Sequence, residues 1–292
     1  MTFFHSSRAT RSGFSAAMGA APLSDAELAQ VAPSAFATEA HASRSARYAY
    51  IPTADVIAGL RREGFVPVLA RQTRPRDASR DGHTKHLIRF RHKGQASQPR
   101  RLGMTFPEVV LINSHDGTSA YHVTAGVFRL ACLNGMVVSD GPERSVKVPH
   151  KGDVVHQVIE GSYEVLDVSR QAIAAADAWA GVTLNRDEQA ILAEAARVIR
   201  FGDAAGHVAT PIQAEQFLRA RRAADTADDL WTTFNRVQEN TIRGGLRAWG
   251  RDANNRPRRV RSREVTGIDQ DVKLNRALWL LGERMAALKG AA

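Results

Sequence analysis

Residues Glu108–Phe128 read EVVLINS-HDGT-SAYHVTAGVF, and this stretch decides the fold. Glu108–Ser114 and Ser119–Phe128 are rich in β-branched and aromatic residues, and four polar residues, His115-Asp116-Gly117-Thr118, separate them. Asp-Gly at the centre is the favoured pair for a type I′ turn, in which both central residues need positive φ. Pairing His115 with Thr118 sets a register that places Leu111 opposite His122 and Asn113 opposite Ala120.

Working outward, strand signals continue on both sides. His86–His92 (HLIRFRH) alternates, with His86, Ile88, Phe90 and His92 on one face and Leu87, Arg89 and Arg91 on the other. Phe65–Arg71 reads as a further strand after a helix opened by Pro52-Thr53 and closed by Gly64. Phe128–Asn134 reads as a helical or bulged turn, followed by short strands at Met136–Ser139 and Ser145–Val148. Beyond about residue 153 the apolar period becomes helical: Val154–Ala180, Asp187–Phe201, a helix from Thr210-Pro211 to about Arg222, Asp228–Gly244 and Asp271–Leu288. Strands first and helices afterwards imply an α+β fold, a twisted antiparallel sheet in the N-terminal half covered by C-terminal helices. Residues 1–43 read as a flexible Ala/Ser-rich leader with one short helix capped by Ser24. Residues 44–292 read as a single domain, β-rich over 44–150 and helical over 151–292.

The chain has 292 residues and a formal net charge of +10. The surplus is local: residues 44–101 hold fourteen Lys/Arg against four acids, whereas the segments on either side nearly balance. A second cluster of eight arginines runs from Arg243 to Arg263 with Asp252 as its one acid. Concentrated positive charge attracts polyanions, and the planar fork of arginine suits bidentate phosphate contacts. The residues expected to meet nucleic acid are Arg74, Arg76, Lys85, Arg89 and Arg91 from the first block. From the second region they are Arg243, Arg247, Arg258, Arg259 and, on the last helix, Lys273. No stretch approaches the roughly 18 apolar residues of a membrane span. One cysteine, Cys132, excludes internal disulfides and four-thiolate zinc sites. No secretory signal is legible, so a soluble, reducing, cytoplasmic setting is expected, with no membrane partner.

Catalytic signatures are weak. HExxH, paired CxxC, GxSxG, GxxxxGK[ST] and GxGxxG are all absent, and no metal or cofactor is expected. Cys132 lies among apolar residues and reads as an inert thiol. His122 reads as a half-buried histidine. Trp231, Trp249 and Trp279 occupy apolar helical positions and read as core. An alternative polar site gathers His115 and Asp116 of the turn with Asn235, Gln238, Glu239 and Asn240 of the Asp228–Gly244 helix, whose Arg236, Glu239, Asn240 and Arg243 lie opposite its apolar stripe. Such a site would serve an enzyme acting on nucleic acid or nucleotides.

Four runs together resemble a known family: NSHDG (Asn113–Gly117), FRLACLNGMVV (Phe128–Val138), NRVQENTIRGG (Asn235–Gly245) and DVKLNRALW (Asp271–Trp279). In this order, within Tyr48–Leu288, they resemble the phage/plasmid-like family, a domain of unknown function carried by bacteriophages, plasmids and other mobile elements. The resemblance brings no activity to named residues. It implies a mobile-element context in which nucleic acid is the commonest partner. The expected function is DNA binding, single-strand or backbone-directed, in recombination, replication or regulation. An enzyme, or a binder of an acidic host defence protein, stands as the alternative, and a homo-oligomer is left open.

Overall fold

The computed structural model describes residues 14–18, 22–44, 50–75, 77–96, 105–129, 134–137, 145–149 and 152–290. It divides into two compact units, Met1–Ile173 and Ala174–Ala292, with the boundary inside a long helix and not at the compositional change near residue 150.

The first unit is an antiparallel sheet of seven strands: β1 (Phe14–Met18), β2 (Phe65–Thr73), β3 (His86–His92), β4 (Thr105–Asn113), β5 (Tyr121–Arg129), β6 (Asn134–Val137) and β7 (Ser145–Val148). Strands β1 to β6 are neighbours in chain order, and β7 also pairs with β5. The two short strands share one edge: β6 takes Gly126–Arg129 and β7 takes Tyr121–Thr124. Pro67 lies in an interior strand, where its missing N–H would break a ladder. It sits at a register shift between Pro67 and Leu69, and such bulges are where interior prolines are tolerated.

Helices α1 (Asp25–Val31), α2 (Thr53–Arg62) and the short α3 (Lys93–Ala96) belong to this unit, as does the first part of α4 (Val154–Ala180). On β3 and β4 residues of both faces are buried. The face bearing His86, Ile88 and Phe90 is covered by α2 and α4. Thr53 bonds to His86, the Tyr163 ring meets Phe65 at 5.2 Å, and Gly161 lies against Val146. Gly161 does not interrupt α4. A Cβ there would stand 2.9 Å from Val146 Cγ1, so glycine lets helix and sheet approach. Described residues of the segment read as a flexible leader are integrated into this unit. Ser24 and Glu27 form a capping box on α1, Leu28 is fully buried, and β1 pairs with β2.

The β4–β5 register departs from the turn-based expectation by one residue. Leu111 faces Val123 and Ile112 faces His122. Gly117 has φ +77° but Asp116 does not have positive φ, so no type I′ turn forms. Instead the Asp116 carboxylate accepts from the Thr118 amide at 3.0 Å and hydroxyl at 2.6 Å, and Ser114 Oγ accepts from the Ser119 amide at 2.8 Å. These local side-chain bonds widen the connection and shift the pairing.

The second unit holds the rest of α4 with α5 (Arg186–Phe201), α6 (Leu230–Arg243), α7 (Ile268–Leu288) and a two-stranded hairpin of β8 (Arg247–Arg251) and β9 (Pro257–Arg261). Trp179, Phe234 and Trp279 form its aromatic centre, with Trp179 and Trp279 4.6 Å apart. The expected helix from Thr210 is replaced by 3₁₀ turns at Ala214–Leu218 and Ala223–Asp225. Here side chains substitute for helical backbone bonds: Asn240 Nδ2 donates to the carbonyls of Phe217 and Arg219 at 2.8 and 2.9 Å. The second arginine cluster falls largely on the β8–β9 hairpin. Among the described residues no helix is long and apolar enough to cross a membrane.

Candidate nucleic-acid interface

Two arginines of the first basic block, Arg89 and Arg91, are taken up inside the fold. Arg89 and Arg91 do project to the face opposite His86, but both are buried and hydrogen bonded to Glu108, whose side chain is 1% exposed. Glu108 sits on the neighbouring strand at the same end, so alternation brings the three charges together out of water. Arg91 also lies over the Phe106 ring at 4.7 Å. Neither arginine offers surface to a polyanion. Lys85 is half-buried and Arg74 is exposed, while Arg76 lies outside the described residues, as does Cys132. Arg80 stands 3.7 Å from Asp116 and 3.8 Å from Asp77.

The alternative polar site divides between the two units. His115 is fully buried, and its Nε2 stands 3.0 Å from Thr53 Oγ1. The same hydroxyl has His86 Nε2, Asn113 Nδ2 and Tyr121 Oη at 3.1 Å. Burial lowers the His86 pKa to about 4, against a backbone bond to Thr84 that works the other way, so the ring is neutral. Burial works against ionisation of Asp116 too. Its bonds to Thr118, with Ser114 and Arg80 nearby, still hold the carboxyl below the usual carboxylate range. Asp116 shapes its loop.

In the second unit α6 has no solvent face. Asn235, Arg236, Gln238, Glu239 and Asn240 are all buried. Glu239 accepts from Arg222 at 2.7 and 2.8 Å and from Arg243 at 3.1 Å. Asn240 Oδ1 accepts from Arg221 at 2.9 Å, and Gln238 donates to Asn275 at 2.8 Å. Asn235 donates to the Trp231 carbonyl at 2.7 Å. The polar stripe that suggested contact with bases is therefore a packed network joining α6 to the segments around it. A carboxylate buried beside two guanidiniums requires this kind of bonding. Among the described residues no cluster of His, Cys, Asp or Glu could hold a metal ion.

The hairpin is different. Gly244 ends α6 with φ +60°, and a Cβ there would stand 2.5 Å from the Arg263 carbonyl oxygen, so glycine is needed to turn the chain into β8. The register pairs Arg247 with Arg261, Ala248 with Val260, Trp249 with Arg259 and Gly250 with Arg258. One face carries Ala248, Gly250, Arg258 and Val260, and Gly250 lies against Pro211. The other presents Arg247, Trp249, Arg251, Arg259 and Arg261, all exposed. These line an open cleft of about 550 Å³ with Ala248 and Val260, in which all but Arg251 take part.

Trp249 is 65% exposed, which corrects its reading as core. The Arg259 guanidinium lies over its ring, 5.0 Å from the centroid. The one acid of the hairpin, Asp252, accepts from the amides of Asn254 and Arg256 at 2.9 Å and so closes the turn. Among the described residues none of Arg247, Arg251, Arg256, Arg258, Arg259, Arg261 and Arg263 forms an ion pair with a carboxylate. This contrasts with Arg89, Arg91, Arg222 and Arg243. Of the residues expected to contact nucleic acid, Arg247 and Arg259 share this open face, and Arg258 lies on the opposite face of the same hairpin. Arg243 pairs with Glu239 beneath, and Lys273 is exposed on α7. The signal for Trp249 was present in RAWGR, where Arg247, Trp249 and Arg251 alternate with two small residues, the period of a strand with one covered face.

A family model described as a domain of unknown function, DUF932, matches residues 40–279. Two proteins of Escherichia coli (strain K12), the UPF0380 proteins YfjQ and YafZ, are each 48% identical to the chain over 264 residues, which covers 90% of this chain and 92% of theirs. No solved structure matches significantly.

Proposed function

The chain belongs to the DUF932 family, and from that premise we propose that it is a nucleic-acid-binding protein whose contact surface is the β8–β9 hairpin. The observation that supports this reading is the open hairpin face: four arginines around an exposed tryptophan, with no carboxylate pairing any of them. Charge left in water and gathered on one projecting ribbon is the electrostatic footprint of a phosphate-binding element. On β9 Arg259 and Arg261 stand two residues apart, about 6.6 Å along the strand, and on β8 Arg247 and Arg251 flank Trp249, so the face can meet a sugar–phosphate backbone at several points. Contact of this kind is backbone-directed, because the base-reading groups of α6 are buried. The role served in a mobile element is recombination, replication or regulation.

Fluorescence-anisotropy titration of labelled single- and double-stranded oligonucleotides at low and moderate salt tests the proposal. The expected result is a log affinity that falls linearly with log salt, because arginines that displace counterions make binding salt-dependent. Absence of binding at low salt, or an affinity indifferent to salt, overturns it.

A further inference from the structure

We infer that Trp249 is a base-stacking platform, and that the hairpin therefore selects unpaired over paired nucleic acid; this rests on the nucleic-acid reading above and names the form of the ligand. Arginines alone do not distinguish the two, since both carry phosphates. An aromatic face does. In a duplex the flat faces of the bases are covered by their neighbours, whereas an unpaired base can lay its face on an indole.

Three features of the hairpin support the inference. The first is exposure. Trp249 is 65% exposed, whereas Trp179 and Trp279 of the same unit are 2% exposed and lie against one another and Phe234. An indole left in water, in a unit whose other aromatic rings pack on one another, is not there to stabilise that core. The second is register. Trp249 stands between Arg247 and Arg251 on its own strand and opposite Arg259, so cations surround the ring on the one open face. A base on the indole would have its own phosphate and the next within reach of those guanidiniums. The third is the arrangement of Arg259. Its guanidinium lies 5.0 Å from the ring centroid and limits the indole's freedom, and it adds to the neutral ring a planar cation on which a base can stack. The opposite face of the ribbon, with Gly250 against Pro211, is anchored, and the Gln216 amide donates to the Arg247 carbonyl at 2.8 Å. The platform is held in place before any ligand arrives.

The test uses the full chain with a fluorescein-labelled oligo-dT and a dA·dT duplex of equal length, titrated at one low and one moderate salt concentration. The wild type should prefer oligo-dT and should lose tryptophan emission on binding it. Trp249→Ala should weaken oligo-dT binding about tenfold, with duplex affinity within twofold of wild type. Trp249→Phe, which keeps an aromatic face, should retain most of the affinity. Equal losses for strand and duplex in Trp249→Ala, restored in Trp249→Phe, would assign the indole to holding the hairpin and overturn the inference. Unchanged oligo-dT binding in a folded Trp249→Ala would overturn it as well. Both outcomes leave backbone-directed binding standing. Loss of all nucleic-acid binding in the wild type overturns the broader reading and this inference with it.

Discussion

Glu108 accepts a hydrogen bond from Arg91 Nε at 2.7 Å with both side chains almost wholly removed from water. Arg89 reaches the second oxygen of the same carboxylate. Two buried cations thus bond one anion, and removing that anion takes this charged partner from both. Glu108→Gln should lower unfolding free energy by about 3–5 kcal/mol, the usual cost of breaking a buried ion pair from one side. Urea denaturation followed by circular dichroism measures it. A loss below about 1 kcal/mol would mean that solvent reaches the cluster.

The same geometry separates two kinds of arginine. Arg259→Ala and Arg261→Ala should each reduce the slope of log affinity against log salt by about one, with little effect on stability, because each removes one phosphate contact. Arg91→Ala should destabilise the fold and leave the slope of the surviving folded protein unchanged. A reduced slope in folded Arg91→Ala would place that residue at the interface.

His86 makes acid stability a third test. Its folded pKa of about 4 lies below the ordinary value of 6.5, so the unfolded chain binds the proton more readily. The His86 contribution is fully present above pH 6.5 and is lost as the pH falls toward 4. The difference amounts to roughly 3 kcal/mol, from about 1.4 kcal/mol per pKa unit. Denaturation curves between pH 7 and pH 4 should show this decline. His86→Gln should start less stable at pH 7 and lack that part of the slope.

Gly161 provides a test of packing against propensity. Alanine in a helix interior is ordinarily better than glycine by about 1 kcal/mol. Here the added Cβ would stand 2.9 Å from Val146 Cγ1 and within 3.1 Å of the rest of that isopropyl group. Gly161→Ala should therefore be destabilising, by about 1–3 kcal/mol. Val146→Ala combined with Gly161→Ala should recover part of the loss, because it removes the atoms in the way. Thermal melts of the single and double variants measure this coupling.

Local pattern alone carried a large part of the fold. The alternation in HLIRFRH marked β3 with its two faces correctly sorted, and the 3.6-residue period marked α4 at Val154–Ala180. Those signals are local because burial of one face writes its period into the chain. The α+β class and the family membership followed from the order of such segments and from four motifs. The β4–β5 register was not legible, because Asp-Gly favours a tight turn only if Asp116 has no better bond to make, and Thr118 supplies one.

The candidate site divides in the same way. The order of residues along the chain is enough to locate the positive charge in two clusters and to show that arginine supplies it. Which arginines are available emerges with folding, because availability depends on partners far along the chain. Arg91 is joined to Glu108, 17 residues away, and Arg222 to Glu239, also 17 away, while the arginines of β8 and β9 have no acid opposite them. The α6 stripe of Asn, Gln, Glu and Arg had the composition of a solvent face, and the segments at Ala214–Leu218 and Ala223–Asp225, together with α7, pack it away. Trp249 read as apolar and hence internal. The strand register placed it instead on the face of a ribbon that nothing else in its unit covers, because a residue's burial is decided by its neighbours in space and only its tendency to be buried by its own chemistry.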